Sequence, residues 1–375
     1  MTERWKPTAE PLVLHVIPTP TARGAQREAR AVADQLDAPG IRAHRVLSLF
    51  EGVPEVEVDF SLHYPGGETP AVGIDPRLVL QVRTALRALD PTVVVAHGGD
   101  PLKYLVPAMV GRRRPLVYHA IGTFAGSRTS TTQLRLWRLL AKRADVVSAV
   151  GDEVAEECAT LLNVPRGKVR VTPNGRDPDV FHPREAAGTD GPTALTFVGA
   201  LTEGKRPLRF IEVVAAVRDR GADVRALLVG DGPLREAVAA AADRAGVDVL
   251  GSRSDVPEVL RRSDVLVFPS LPTGEGMPGV LIEAGLTGLP IVATDVPGVQ
   301  SVLEPGVTGV VVGVDDLPGM VAAVESLVGD PAGRAAMGRA ARERCAARWS
   351  LAVVGARWLE LLGPFLPAGD RAGGR

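Results

Sequence analysis

The stretch VLVFPSLPTGEGMPGVLIEAGLTG, residues 265–288, admits two readings, and the choice between them fixes the architecture. Gly274, Gly276 and Gly279 spell G-x-G-x-x-G behind an apolar run. Asp295 follows at about the twenty-residue distance where a dinucleotide-binding fingerprint carries its ribose acid. In that fingerprint the first glycine follows its strand almost directly, and the backbone comes close to a pyrophosphate. Here "PSLPT" intervenes after Phe268, and Glu275 sets a negative charge among the phosphate-facing glycines. Pro278 also removes one N–H from the cradle. The fingerprint normally opens a domain, and this one arrives late. The NAD reading fails on these counts.

The carboxylates carry a second pattern. Glu275 and Glu283 are separated by seven residues, the first on a loop and the second inside the helix that follows. Pro278 suits the first helical turn, where a missing N–H costs nothing. The open amides of Gly279, Val280 and Leu281 would then receive a diphosphate. Glu275 would lie beside whatever the diphosphate carries. Glu283, one turn along the helix, would reach back to the two hydroxyls of a ribose. The order read along the segment is nucleoside, diphosphate, sugar.

Working outward, short β-branched runs alternate with Ala/Leu/Arg helical patterns, the mark of parallel α/β units. Strands are expected at 12–17, 42–47, 92–97, 115–120, 145–150 and 168–173. A second set is expected at 194–199, 225–230, 247–251, 264–269, 290–295 and 309–313. Two six-strand sets predict an α/β protein of two Rossmann-like domains that face each other across a ligand cleft. The expected bounds are 1–185 for an acceptor-side domain, 186–192 for a linker, and 193–349 for a nucleotide-sugar-binding domain. A helix near 350–368 is expected to pack back on the first domain, as the family resemblance given below implies. Two crevices at the carboxyl ends of strands suit transfer from an activated donor to an acceptor.

Composition agrees with two soluble domains. The chain has 375 residues, 45% of them apolar, and a net charge of -1, which gives no global signal for nucleic acid. Cys158 and Cys345 are the only cysteines, and they read as two buried thiols in a reducing compartment. "PLVLHVIP" reads as a first buried strand rather than a signal peptide. No stretch approaches the roughly 18 apolar residues of a transmembrane helix. The expected location is the cytoplasm.

The E-x7-E segment, together with VGDGPL (229–234), VTPNGRDPDVFHP (171–183) and FVGALTEGKRP (197–207), resembles glycosyltransferase family 4. The resemblance implies a GT-B fold and a retaining, metal-independent hexosyltransferase that uses a UDP-sugar or GDP-mannose, with no NAD and no metal. It implies that Glu275 contacts the sugar hydroxyls, with Gly276, Met277 and the neighbours of Pro278 beside them. Glu283 would hold the ribose, and Lys205 would neutralise the diphosphate. Arg253 would lie in the loop that meets the nucleobase, and Gly24 in the turn against the donor. The family's usual arginine five positions before the lysine is Ala200 here, a departure that implies either compensation by Arg206 or another cation, or a diphosphate held less tightly. His119 matches the histidine beside the reacting sugar. His97, Thr123 and Arg128 are candidates for the acceptor side.

The resemblance further implies reaction on a single face of the sugar, with the leaving diphosphate helping to deprotonate the acceptor. The acceptor class stays open between a lipid carrier, a saccharide and a small molecule. LRLWRLLAKR (134–143) with GRRRP (111–115) is basic and partly amphipathic. Lipid-modifying relatives use such features to rest on anionic membranes, which allows peripheral placement on the inner membrane face. A solvated helix face over the N-terminal sheet is the favoured reading. Two rivals remain for the whole chain: a sugar-nucleotide epimerase of the same architecture, and a degenerate GT-B subunit that binds without turnover.

Overall fold

The computed structural model describes residues 10–21, 24–38, 41–65, 73–123, 130–184, 191–272 and 276–367. The chain divides into two units, one made of Met1–Gly175 with Leu351–Arg375, the other of Arg176–Ser350. The division falls at Gly175/Arg176, ahead of the expected 186–192 linker, of which 186–190 lie outside the described residues.

The first unit is a parallel sheet of seven strands: β1 (Leu12–Ile17), β2 (Ala43–Phe50), β3 (Phe60–Tyr64), β4 (Val93–His97), β5 (Leu116–Ala120), β6 (Val146–Ala149) and β7 (Val169–Val171). Their order is β3-β2-β1-β4-β5-β6-β7, so the winding reverses between β1 and β4. β1, β4 and β5 are buried along their whole length, which explains why they read as unbroken apolar runs rather than alternating ones. Six strands were expected, and β3 is the seventh. It pairs only with β2, at the sheet edge and through an irregular register, and is largely half-exposed. FSLHY therefore lacks the continuous apolar signal of a central strand.

The helices Gly24–Leu36 and Leu351–Leu362 pack on each other and share a core with Val13, Val93, Val95 and Val117. Local chemistry sets other helix starts. Asp75 accepts from the Arg77 amide ahead of Pro76–Leu89, and Ser130 with Gln133 closes a capping box ahead of Thr131–Lys142.

The second unit has six parallel strands: β8 (Thr193–Val198), β9 (Val224–Val229), β10 (Asp248–Gly251), β11 (Val265–Phe268), β12 (Ile291–Thr294) and β13 (Gly309–Val312). Their order, β10-β9-β8-β11-β12-β13, is that of a doubly wound dinucleotide-type sheet. Phe197 and Phe210 are fully buried with ring centroids 5.9 Å apart at the centre of its core. Burial of each such ring contributes about 1.5–3 kcal/mol. Two helices meet at Asp330, whose side chain accepts from the Gly333 amide. Leu317–Gly329 precedes it and Pro331–Trp349 follows it. Cys158 and Cys345 are free and buried, and burial pushes both thiols up to about 12.

Candidate functional site

In a doubly wound sheet, ligands gather outside the carboxyl ends of the strands where the order reverses. In the second unit that point lies between β8 and β11. Two of the sequence-derived segments emerge there. Lys205 ends the short 3-10 helix Glu203–Lys205 after β8, and the helix Gly279–Leu286 follows β11. The two are fastened together, since the Leu271 amide donates to the Gly204 carbonyl at 2.7 Å. The Lys205 ammonium lies 5.2 Å from the ring centre of Phe268, the last residue of β11. A cation is thus held where β11 ends.

Two glycines in VGDGPL admit the backbone that carries Lys205. A Cβ on Gly230 would sit 1.8 Å from the Gly199 carbonyl oxygen, and Gly230 has φ +148°, a conformation that L side chains rarely adopt. The Gly199 and Leu201 amides donate to the carbonyls of Val229 and Asp231 at 3.0 and 2.9 Å. Asp231 accepts from the Gly232 amide and pairs with Arg235, so its side chain fixes the turn.

Gly276, Met277 and Pro278 are buried, and Pro278 sits at the N-cap with no side-chain cap. Gly279 and Val280 open the helix, and their amides have no hydrogen-bond partner among the described residues. Leu281 differs from expectation. Its amide donates back to the Pro278 carbonyl at 3.2 Å and its side chain is fully buried, so two helical amides are left for an anion rather than three. Glu275 lies outside the described residues.

Glu283 is held from an unexpected direction. Arg176 Nε donates to its Oε1 at 2.7 Å, with side chains 12% and 14% exposed. The Arg176 amide itself donates to the Trp349 carbonyl at 2.9 Å, at the end of Pro331–Trp349. That same helix braces Gly279–Leu286 elsewhere: Cys345 Sγ occupies the place a Cβ on Gly285 would take, and Arg342 donates to the Leu286 carbonyl. Sequence reasoning missed Arg176, although it stands in the quoted NGRD, because its partner lies 107 residues on. It also missed Ser270, whose buried hydroxyl at the exit of β11 has no hydrogen-bond partner among the described residues.

Other expectations are corrected. Arg206 does not stand in for the cation absent at Ala200. Its guanidinium donates to the Val314 carbonyl at 2.6 Å and to Asp315 at 3.1 Å, fastening the segment after β13. Arg253, after the edge strand β10, forks onto Asp255 at 2.6 and 2.5 Å.

Four histidines of the first unit are interior. His119 and His97 were expected beside the sugar and the acceptor, yet they are 1% and 0% exposed. His44, His15, His97 and His119 stand on β2, β1, β4 and β5, four neighbouring strands, and form a row across the sheet. His15 bridges to His97 at 2.9 Å and to His44 at 3.0 Å, while His119 meets the Ser148 hydroxyl at 2.9 Å. Trp358, fully buried, covers the row with ring centroids 5.0 Å from His119 and 6.0 Å from His97. Desolvation dominates their chemistry. It holds His15 and His97 well below the usual imidazole value, His44 near about 3 and His119 near about 4. These are interior groups, and His97 Nδ1 and His119 Nε2 have no hydrogen-bond partner among the described residues.

Gly24 begins the first helix, is exposed, and has open space where a Cβ would be. Thr123 is half-buried just after β5, and Arg128 lies outside the described residues. The basic stretch forms Thr131–Lys142, where Trp137 packs on Gly99, Arg138 donates to the Leu161 carbonyl and Leu139 is 67% exposed. Among the described residues no group of three or more His, Cys, Asp or Glu is placed to hold a metal, and no helix is long and apolar enough to cross a membrane.

A family model described as Glycosyltransferase Family 4 matches residues 22–180, and one described as Glycosyl transferases group 1 matches residues 192–330. An Escherichia coli UDP-Gal:alpha-D-GlcNAc-diphosphoundecaprenol alpha-1,3-galactosyltransferase is 31% identical over 205 residues, 49% of this chain and 52% of that one. A Mycolicibacterium smegmatis GDP-mannose-dependent alpha-(1-6)-phosphatidylinositol monomannoside mannosyltransferase is 27% identical over 311 residues, 77% and 80% of the two chains. The chain spans 44%, 52% and 58% of the length of the first three curated relatives it matches. Among solved structures, Anabaena Alr3699/HepE in complex with UDP-glucose superposes with a TM-score of 0.79 at 21% identity, covering 94% of this chain and 99% of that one. That likeness establishes the fold.

Proposed function

Because the chain belongs to glycosyltransferase family 4 and has its GT-B fold, we propose that it moves a hexose from a nucleoside-diphosphate sugar to an acceptor, with retention at the anomeric carbon and without a metal. The observation that carries the reading is one helix, Gly279–Leu286. It offers two open amides at its start and a held carboxylate, Glu283, one turn on. An anion at those amides meets the positive end of the helix. Lys205 stands at the adjoining strand end. In this reading the diphosphate lies on Gly279, Val280 and Lys205, the ribose on Glu283, and the sugar on Glu275, Gly276 and Met277.

The bond from the anomeric carbon to the diphosphate oxygen breaks as negative charge grows on the leaving group. Lys205 and the two amides stabilise that charge, a contribution of about 3–4 kcal/mol for a well-aimed donor. The acceptor oxygen bonds to the same face of the sugar, and its proton passes to the departing diphosphate. His119 and His97 take no part.

UDP-sugars and GDP-mannose are the donors to test, with NAD as the control. A donor at 100 times its dissociation constant stabilises the protein by about 2.7 kcal/mol, which thermal unfolding resolves. Lys205→Ala is expected to slow transfer by about 10²–10³-fold and to weaken donor binding, and Glu283→Ala to weaken donor binding with folding retained. Stabilisation by NAD alone would overturn the reading. A new sugar isomer in the nuclear magnetic resonance spectrum would identify an epimerase, and donor binding without turnover a degenerate subunit.

Exposed Leu139, between Arg135 and Lys142 on one helix, favours a lipid-linked acceptor at an anionic cytoplasmic surface. Co-sedimentation with anionic but not neutral vesicles is the expected result, and equal recovery with both excludes it.

A further inference from the structure

We infer that Arg176 is the positioning residue of the nucleotide site, aiming the Glu283 carboxylate at the ribose, and that Gly279 is glycine to admit its guanidinium. The inference rests on the reading of Glu283 as the ribose ligand. Three observations carry it. The Arg176–Glu283 contact is made through Nε and Oε1 at 2.7 Å, and Oε2 makes no hydrogen bond among the described residues. An arginine that serves only to neutralise a carboxylate gains most from a two-pronged fork; here one prong holds one oxygen and leaves the other for a ligand hydroxyl. Oε1 keeps a second lone pair, so a vicinal diol can use both oxygens.

The second observation is steric. A Cβ on Gly279 would lie 2.2 Å from Arg176 Nη2 and 3.1 Å from its Cζ. The guanidinium therefore lies against the first helical residue. The third is that Arg176 is anchored at its own backbone, through the 2.9 Å bond to the Trp349 carbonyl and a parallel bridge to Ser350. A long side chain loses rotamer freedom when it is held, and a fixed base lowers the share of that loss met at ligand binding. Arg176, Glu283 and Gly279 thus form one preorganised corner. Lysine cannot replace the geometry, because its ammonium has no Nε partway along the chain and no plane to lie against a glycine.

The test compares binding of UDP and GDP with binding of their 2′,3′-dideoxy counterparts, by calorimetry, on the full chain. The unsubstituted protein is expected to prefer a ribose form by tenfold or more. Arg176→Gln, which keeps much of the side-chain length, should bring that preference close to one while leaving dideoxy affinity unchanged. Arg176→Lys should recover little of it. Gly279→Ala, with both charges intact, should lower the preference by displacing the guanidinium. If Arg176→Gln keeps the preference, or weakens ribose and dideoxy forms equally, the inference is overturned. If the unsubstituted protein shows no preference, or Glu283→Gln leaves it intact, the ribose reading of Glu283 has failed, and the inference with it.

Discussion

Lowering the pH from 7 towards 4 is expected to unfold the first unit before the second. The cause is the row of His44, His15, His97 and His119, of which the last three pack against Trp358. All four imidazoles are held below their ordinary value of 6.5, mainly by desolvation. Neighbouring charges add to the effect: Arg42, Arg45 and Arg30 on His44, and His44, Arg30 and His119 on His15. His15 and His119 act on His97, and the Ser148 contact opposes the shift on His119.

The sign follows from proton counting. Above about pH 6.5 both folded and unfolded chains carry these groups neutral, and stability is whole. Below it the unfolded chain takes up protons while the folded chain refuses them, so stability falls with pH. The loss continues down to the folded values, about 4 for His119 and about 3 for His44. Each tenfold mismatch in proton affinity is worth about 1.4 kcal/mol. The row therefore withdraws several kcal/mol, against a typical total of about 5–15 kcal/mol. Hydrogen exchange against pH should show β1, β2, β4 and β5 losing protection first. Replacing His44 with Leu and His119 with Phe should move the acid midpoint down. An unmoved midpoint would assign acid sensitivity to other groups.

Gly230→Ala is expected to give a larger loss of stability than a methyl at the other described glycines of the second unit. The new carbon meets a backbone oxygen at 1.8 Å, not the end of a flexible side chain, in a φ region that suits glycine. Strain of about 1–3 kcal/mol adds to overpacking of a similar size. At about 2–4 °C per kcal/mol for a unit of this size, calorimetry should show a drop of roughly 4–24 °C. The first unit's transition should stay in place. Lys205 lies on the loop that must yield, so donor affinity should fall with stability. Normal melting and binding would mean the backbone relaxes at little cost.

Most of the sheet architecture was legible because parallel strands buried on both faces write continuous apolar runs into the sequence. The same property hid the histidines. His97 and His119 stand at strand ends, where a crevice is expected, but the face each side chain takes is invisible when both faces are apolar. Val95 and Val117, two residues earlier, pack under the C-terminal helix, and the alternation of the strand carries the imidazoles to that same face. β3 was illegible because an edge strand needs only one partner. At the site, Lys205 and the glycine-opened helix could be read locally. Arg176 could not, because a contact between residues 107 apart leaves no local periodicity.

The C-terminal helix carries one more consequence. Trp358 covers the histidine row from a segment that follows the whole second unit in the chain, so the first unit is written in two pieces around an intact insert. A single recombination point cannot exchange the second unit between two such genes and leave both units closed. Exchange needs paired junctions, near Gly175/Arg176 and Ser350/Leu351. Chimaeras built with those two seams should keep Trp358 over its own histidines, whereas single-crossover hybrids inherit a foreign lid.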